Sequence, residues 1–238
     1  MIAAVLPAAG VGKRFKSKPG DSPKQFTGLS GRALYLWSLG TLAAHNQVDL
    51  IVVVVPKLSL DAVQSEIKQN LPPADAQKVV VTAGGPTRQH SVHNGLERLA
   101  ELSEHPDYVL VHDAARPLLT GRMIDLVIKS VTTNGACTLA VAVTDTIKKV
   151  KEGIVGETLD RSELVQIQTP QAAKFQWLLE AHRRAAKENF GTTDDSTILE
   201  HSGHKVHIVP GSPYNLKITN PEDLSVCQSL ASALKQRS

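Results

Sequence analysis

Ile2-Ala3-Ala4-Val5-Leu6-Pro7-Ala8-Ala9-Gly10-Val11-Gly12-Lys13-Arg14-Phe15 opens the chain with an aliphatic run that passes at once into small residues, glycines and two cations. An aliphatic run without polar alternation predicts a strand buried on both faces. Glycines directly after it let the backbone approach a ligand and aim N–H groups at its oxygens. The pattern repeats outward from this stretch. Residues 50–55, 78–82, 108–112 and 138–143 are further aliphatic runs, and 33–44, 59–69, 89–102 and 122–132 carry apolar residues at helical spacing. Strands alternating with helices predict a doubly wound, mostly parallel α/β sheet of Rossmann-like type, with ligands beyond the carboxyl ends of the strands.

The alternation stops after Val143. Residues 146–151 and 154–159 are polar-rich strand candidates around Glu152-Gly153, which predicts a protruding hairpin. Such a hairpin has too little apolar surface to stand alone, so a second subunit is expected to cover it. Helices at 174–187 and 194–201, a strand at 205–209 and a helix from Pro221 complete the chain. With no repeat or linker, residues 1–238 are expected to form one domain, and the stretch at about 144–168 to serve as a homodimerisation arm.

Bulk properties narrow the class. Hydrophobic residues make up 42% and charged residues 21%, a globular balance, and the net charge of +3 is too small to argue for nucleic acid. The longest aliphatic run, 50–55, is far below a membrane span, and the amino terminus lacks the basic start of a signal peptide. Cys137 and Cys227 are far apart, which predicts neither a disulfide framework nor a zinc site and suits a reducing cytoplasm.

The glycine loop fits neither of two familiar phosphate-binding patterns. Gly10 and Gly12 are too close together for a P-loop, and Arg14 stands where a P-loop needs Ser or Thr. Phe15 occupies the third small position of the dinucleotide fingerprint, and Val55-Pro56-Lys57 lacks its acid. Lys13, Arg14 and Pro23-Lys24-Gln25 nevertheless gather the cations that a polyphosphate requires. Farther on, Tyr108-Val109-Leu110-Val111 leads into His112-Asp113-Ala114-Ala115-Arg116-Pro117, which places Asp113 where a buried strand ends. A carboxylate there can hold Mg²⁺, or it can cap the following turn or pair with Arg116; the residues alone leave both open. His112 reads as a packed histidine. His90 and His93 lack a third ligand. His201, His204 and His207 straddle Gly203 and need not converge on an ion.

Leu6-Pro7-Ala8-Ala9-Gly10-x-Gly12-x-Arg14-Phe15 followed by Pro23-Lys24-Gln25 resembles the signature of sugar-phosphate nucleotidyltransferases. Adding His112-Asp113-Ala114-Ala115-Arg116-Pro117, Gly84-Gly85 with Arg88 and Ser91, Asp145-Thr146, Asp160-Arg161, Gln168-Thr169-Pro170-Gln171, Thr193-Asp194-Asp195-Ser196 and Asn215-Leu216-Lys217-Ile218-Thr219, the chain resembles the 2-C-methyl-D-erythritol 4-phosphate cytidylyltransferase family over nearly its whole length. The resemblance implies CTP and a small polyol phosphate as substrates. It implies nucleotide contacts from Pro7, Ala8, Ala9, Gly10, Gly12, Gly84, Gly85, Ser91 and Ala114. Arg14, Lys24 and Lys217 would neutralise phosphates and carry the catalysis, and Asp113 would hold Mg²⁺ or another divalent cation. Asp113, Thr146, Arg161, Thr169 and Lys217 would meet the acceptor, Thr146 and Arg161 reaching across a dimer.

Two departures stand out: the stretch from Lys16 to Pro23 is longer than the family's compact loop, and Ser196 replaces the usual Ala. Ribitol 5-phosphate is the alternative acceptor, disfavoured by the double alanine Ala114-Ala115. A nucleotide-binding regulatory protein on the same scaffold is the non-enzymatic alternative, and Lys24, Asp113 and Lys217 together argue against it.

Overall fold

The structure is a computed structural model and is described for residues 1–10 and 27–235. The positions of Gly12, Arg14 and Lys24 lie outside the described residues. In chain order the elements are β1 (Ile2–Pro7), β2 (Gly28–Leu29), β3 (Arg32–Ala33), α1 (Leu34–Ala43), β4 (Leu50–Val55), α2 (Leu60–Asn70), α3 (Pro73–Ala76), β5 (Val79–Ala83), α4 (Arg88–Ala100) and β6 (Tyr108–Val111). There follow α5 (Gly121–Asn134), β7 (Ala136–Ala142), β8 (Lys148–Lys151), β9 (Ile154–Thr158), β10 (Val165–Lys174), α6 (Phe175–Lys187), α7 (Asp195–His201), β11 (His207–Pro210) and α8 (Pro221–Lys235).

The main sheet has seven strands in the order β11-β7-β10-β6-β1-β4-β5. β1 is parallel to β4 and β6, β4 to β5, and β7 to β11, while β10 runs antiparallel between β6 and β7. The chain steps from β1 to one side through β4 and β5, then restarts on the other side at β6. The carboxyl ends of β1 and β6 therefore flank a topological switch point, where the connecting loops diverge and leave a crevice.

The aliphatic runs are buried on both faces because alternate residues serve two cores. Ala4, Leu6, Ile51 and Val53 pack with Tyr35 and Leu39 of α1 and Ile124 and Val127 of α5. Ala3, Val5, Val52 and Val54 pack with Val92 and Leu96 of α4 and Phe175 and Leu178 of α6. Each such fully buried aliphatic side chain contributes about 1.5–3 kcal/mol. β5 differs from expectation. It is the sheet edge, and all its residues are only half-buried. A third, smaller cluster seats α8 on Leu29, Leu34 and Ile218.

The hairpin of β8 and β9 turns at Glu152-Gly153 as expected, with φ of 53° and 79°. Positive φ at both positions suits the twist of a two-residue hairpin, and glycine adopts it without cost. β10 was not foreseen. Val165-Gln166-Ile167-Gln168-Thr169-Pro170-Gln171-Ala172-Ala173-Lys174 has three glutamines and a proline, which argue against an interior strand. The sheet accommodates it through a register shift between Ile167 and Gln171, so Pro170 falls where the ladder is already interrupted.

Candidate active site

Two loops meet at the carboxyl ends of β1 and β5. The Ala8 N–H donates to Val54 O at 2.7 Å, and the Gly84 N–H donates to Val55 O at 2.8 Å. A Cβ added at Gly84 would stand 2.3 Å from Ala9 Cβ and 2.9 Å from Ser91 Oγ, so only glycine lets the loops interlock. Ser91 is buried, accepts from the Gly85 N–H at 3.3 Å and donates to Thr87 O at 2.9 Å. Its hydroxyl therefore braces the Gly84-Gly85 loop after β5. Gly10 faces open space, since a Cβ there would meet nothing within 4 Å.

Asp113, just beyond β6, is the focus of charge. Its Oδ1 accepts from Arg88 Nε at 2.7 Å, and its Oδ2 lies 2.6 Å from Lys217 Nζ. Burial alone would raise its pKa, but Arg88 and Lys217 outweigh burial and hold the carboxyl well below the usual carboxylate range. Arg88 is likewise opposed by burial, yet Asp113 and Asp195 raise its pKa, so its charge is permanent. The carboxylate thus does not pair through its side chain with Arg116, one of the two alternatives to a metal role. Nor does the carboxylate cap the following turn: the Arg116 N–H donates to the backbone Asp113 O at 2.9 Å, while both carboxylate oxygens go to Arg88 and Lys217.

One buried hydrogen-bond chain fixes Asp113. The Asp113 N–H donates to Thr169 Oγ1 at 3.0 Å, and that hydroxyl lies 3.1 Å from His112 Nδ1. His112 Nε2 lies 3.1 Å from Arg116 O and must donate to it, so Nδ1 is the acceptor for the Thr169 hydroxyl. Burial lowers the His112 pKa to about 4, which keeps the ring neutral and structural. Arg116 in turn donates to Asn215 O at 2.7 Å, Asn215 Nδ2 donates to Thr169 O at 2.8 Å, and the Ile218 N–H donates to Ala115 O at 2.8 Å. The loop that carries the acid therefore also anchors the segment that carries Lys217.

A cleft of about 690 Å³ opens over this cluster, with Arg88, Asp113, Thr169, Gln171, Asp194 and Lys217 in its wall. Thr169 lines it, though its hydroxyl is already engaged. Ala114 is buried and is not among the cleft-lining residues. Thr146 and Arg161 are exposed on the arm and are not among the cleft-lining residues; Arg161 donates to Thr144 O at 2.5 Å. The histidines singled out in the sequence have separate partners: His204 stacks on Trp177, His201 on Phe190, and His93 on His182.

Sequence reading noted Arg88 without giving it a role. A signal was present: a cation in the first turn of a helix opposes the helix dipole, so it implies carboxylates nearby. The roles of Asp195, Gln171 and Asn215 carried no comparable mark.

Among the described residues no group of three or more His, Cys, Asp or Glu could hold a metal ion. Asp113 offers one carboxylate flanked by two cations. Mg²⁺ binds through one or two carboxylates and completes its shell with water and substrate phosphates. The donor set therefore fits such an ion only when a polyphosphate supplies the remaining oxygens.

A family model described as 2-C-methyl-D-erythritol 4-phosphate cytidylyltransferase matches residues 2–232. A protein of that name from Bacillus mycoides is 37% identical over 236 residues, spanning 99% of this chain and 100% of its own. The crystal structure of the Thermus thermophilus protein of that name superposes with a TM-score of 0.76 at 28% identity, covering 96% of this chain and 98% of the other. The crystal structure titled 4-diphosphocytidyl-2C-methyl-D-erythritolsynthase from Anaerococcus prevotii gives a TM-score of 0.81 at 25% identity, covering 97% and 96%. With the interlocked glycine loops and the clamped Asp113 at the switch point, these likenesses place the chain in one group: it belongs to the 2-C-methyl-D-erythritol 4-phosphate cytidylyltransferase family.

Proposed function

We propose that the chain transfers CMP from CTP to 2-C-methyl-D-erythritol 4-phosphate, releasing pyrophosphate and forming 4-diphosphocytidyl-2-C-methyl-D-erythritol. The observation that carries the reading is Asp113, buried at the end of β6 and held between Arg88 and Lys217 in the wall of an open cleft. An oxygen of the acceptor phosphate attacks the α-phosphorus of CTP. The new O–P bond forms as the bond from that phosphorus to its bridging oxygen breaks, and the electron pair leaves with pyrophosphate. The attacking oxygen is already ionised, so no general base is needed, in keeping with a neutral His112 locked between Thr169 and Arg116.

The work left to the protein is to bring two polyanions together and stabilise charge in the transition state. Lys217 presents its ammonium to the cleft, and Arg88 fixes the carboxylate that aims it. Arg14 and Lys24, which lie outside the described residues, add positive charge from the sequence that follows β1. Pro7, Ala8, Ala9, Gly10, Gly84 and Gly85 supply the backbone against which the cytidine lies. Asp113 would hold a divalent cation such as Mg²⁺ together with triphosphate oxygens, and the cation would supply further charge neutralisation.

The arm completes the proposal. Val150, Ile154 and Val155 are 65%, 72% and 63% exposed on it, and a two-stranded hairpin that leaves its apolar side chains in water is marginally stable alone. A homodimer formed through this arm covers them and carries Thr146 and Arg161 to the acceptor site of the partner. Among the described residues no helix is long and apolar enough to cross a membrane. Cys137 and Cys227 are buried and unpaired, which suits a cytoplasmic enzyme.

Pyrophosphate release with each of four nucleoside triphosphates, against methylerythritol phosphate and ribitol 5-phosphate, tests the reading. Release confined to CTP with methylerythritol phosphate supports it; CTP binding without release supports a regulatory role instead.

A further inference from the structure

Behind the cleft lies a second buried carboxylate that the transfer chemistry does not call for, Asp195, paired with Arg88. His182 Nε2 on α6 lies 3.1 Å from Asp195 Oδ1, at the start of α7, and Asp195 Oδ2 accepts from a terminal nitrogen of Arg88 at 2.8 Å. Through its Nε, the same guanidinium holds Asp113, which holds Lys217. His182 and Asp195 are each 1% exposed, and neither is among the cleft-lining residues. We propose that His182 and Asp195 are positioning residues for nucleotidyl transfer, acting through Arg88 on Asp113 and Lys217.

The geometry gives the reason. An arginine beside a single carboxylate tends to grip both its oxygens with two parallel N–H bonds. Here Asp195 engages a terminal nitrogen, so Arg88 reaches Asp113 through Nε and takes one oxygen. The other Asp113 oxygen is left to Lys217. Asp195 is itself fixed, because the Asp195 and Ser196 N–H groups both donate to Gln171 Oε1, at 2.8 Å and 2.9 Å. His182 orients the remaining Asp195 oxygen. Facing a carboxylate, its Nε2 donates to Asp195, and among the described residues its Nδ1 has no hydrogen-bond partner. A buried ionic pair is often matched or bettered in stability by apolar residues of similar volume, whereas orientation of Arg88 needs the charge and the hydrogen bond.

The inference rests on the role proposed for Asp113 and Lys217, and the experiment keeps the two apart. Steady-state kinetics are measured for Asp195→Asn, His182→Leu, His182→Gln and Lys217→Met, below each variant's unfolding temperature and per folded protein by near-UV circular dichroism. Asp195→Asn is expected to lower kcat by about 10–100-fold, the scale seen for residues that orient a ligating group, with KM for CTP within about threefold. His182→Leu should lower kcat by about tenfold, and His182→Gln, which restores an N–H donor, should recover most of that loss. Folded Asp195→Asn and His182→Leu with kcat within about twofold of wild type, beside an impaired Lys217→Met, would overturn the relay alone; a Lys217→Met at wild-type rate would overturn the site assignment beneath it. Failure of both Asp195→Asn and His182→Leu to fold, beside an active His182→Gln, would assign the pair to stability and also overturn the proposal.

Discussion

Lys217 Nζ lies 2.6 Å from Asp113 Oδ2 because the turn after Asp113 also binds the backbone on both sides of the lysine, at Asn215 O and at the Ile218 N–H. The pairing is a consequence of how two distant segments are stitched together. A carboxylate so clamped is ionised at any working pH and is available to one further cation only if phosphates share the load.

Asp113→Asn tests that dependence. Mn²⁺ binding followed by electron paramagnetic resonance should be weak for the free protein and strong with CTP present, and the substitution should weaken the ternary complex by about 10–100-fold. Equal Mn²⁺ affinity of wild type and variant in the presence of CTP would remove Asp113 from the ion site.

Gly84→Ala should separate the glycine loops. The new methyl would meet Ala9 Cβ at 2.3 Å and Ser91 Oγ at 2.9 Å. Overpacking of this kind costs about 1–3 kcal/mol. Calorimetric titration should show CTP affinity reduced by about tenfold or more, since each ~1.4 kcal/mol is a factor of ten. Unchanged affinity would mean that the two loops do not jointly shape the nucleotide site.

The limits of sequence reading are visible in the same residues. β1 and β4 were legible because Ile2-Ala3-Ala4-Val5-Leu6 and Leu50-Ile51-Val52-Val53-Val54-Val55 feed two cores at once and leave no room for polar alternation. The hairpin was legible from Glu152-Gly153. β10 was hidden because its glutamines serve as hydrogen-bond hubs: Gln168 Nε2 donates to Ser212 O and Gln171 Oε1 caps the start of α7. Asp113 stood out by its place after an aliphatic run. Asp195 did not, since Thr193-Asp194-Asp195-Ser196 reads as an ordinary helix start, and only the fold shows Asp194 accepting from Ser196 and Thr197 while Asp195 turns inward to Arg88.

Arg161→Ala addresses the arm. Arg161 is exposed and away from its own cleft lining. Acceptor KM should rise by about tenfold or more with kcat changed far less, the pattern of lost binding that is equal in ground and transition states. An unchanged acceptor KM would sink the shared-site dimer.

His112 gives a pH dependence of stability. Burial lowers its pKa from the ordinary 6.5 to about 4 in the folded protein. Between those values the unfolded chain binds the extra proton and the folded one does not, so this contribution is whole above pH 6.5 and drains away as pH falls toward 4. The full swing is about 3 kcal/mol, at about 1.4 kcal/mol per pH unit. Urea unfolding of wild type and His112→Gln across this range should show a steeper acid loss for wild type. Parallel slopes would mean that the ring is charged when folded.

Lys217→Met, assayed by pyrophosphate release at saturating CTP and methylerythritol phosphate, bears on the reacting centre itself. Removal of a cation that acts on charge in the transition state should lower kcat by about 10²–10³-fold while KM for CTP moves by only a few-fold, and Lys24→Ala should behave alike. A near-normal kcat for Lys217→Met would show that the Asp113–Lys217 pair holds the fold together and takes no part in the transfer.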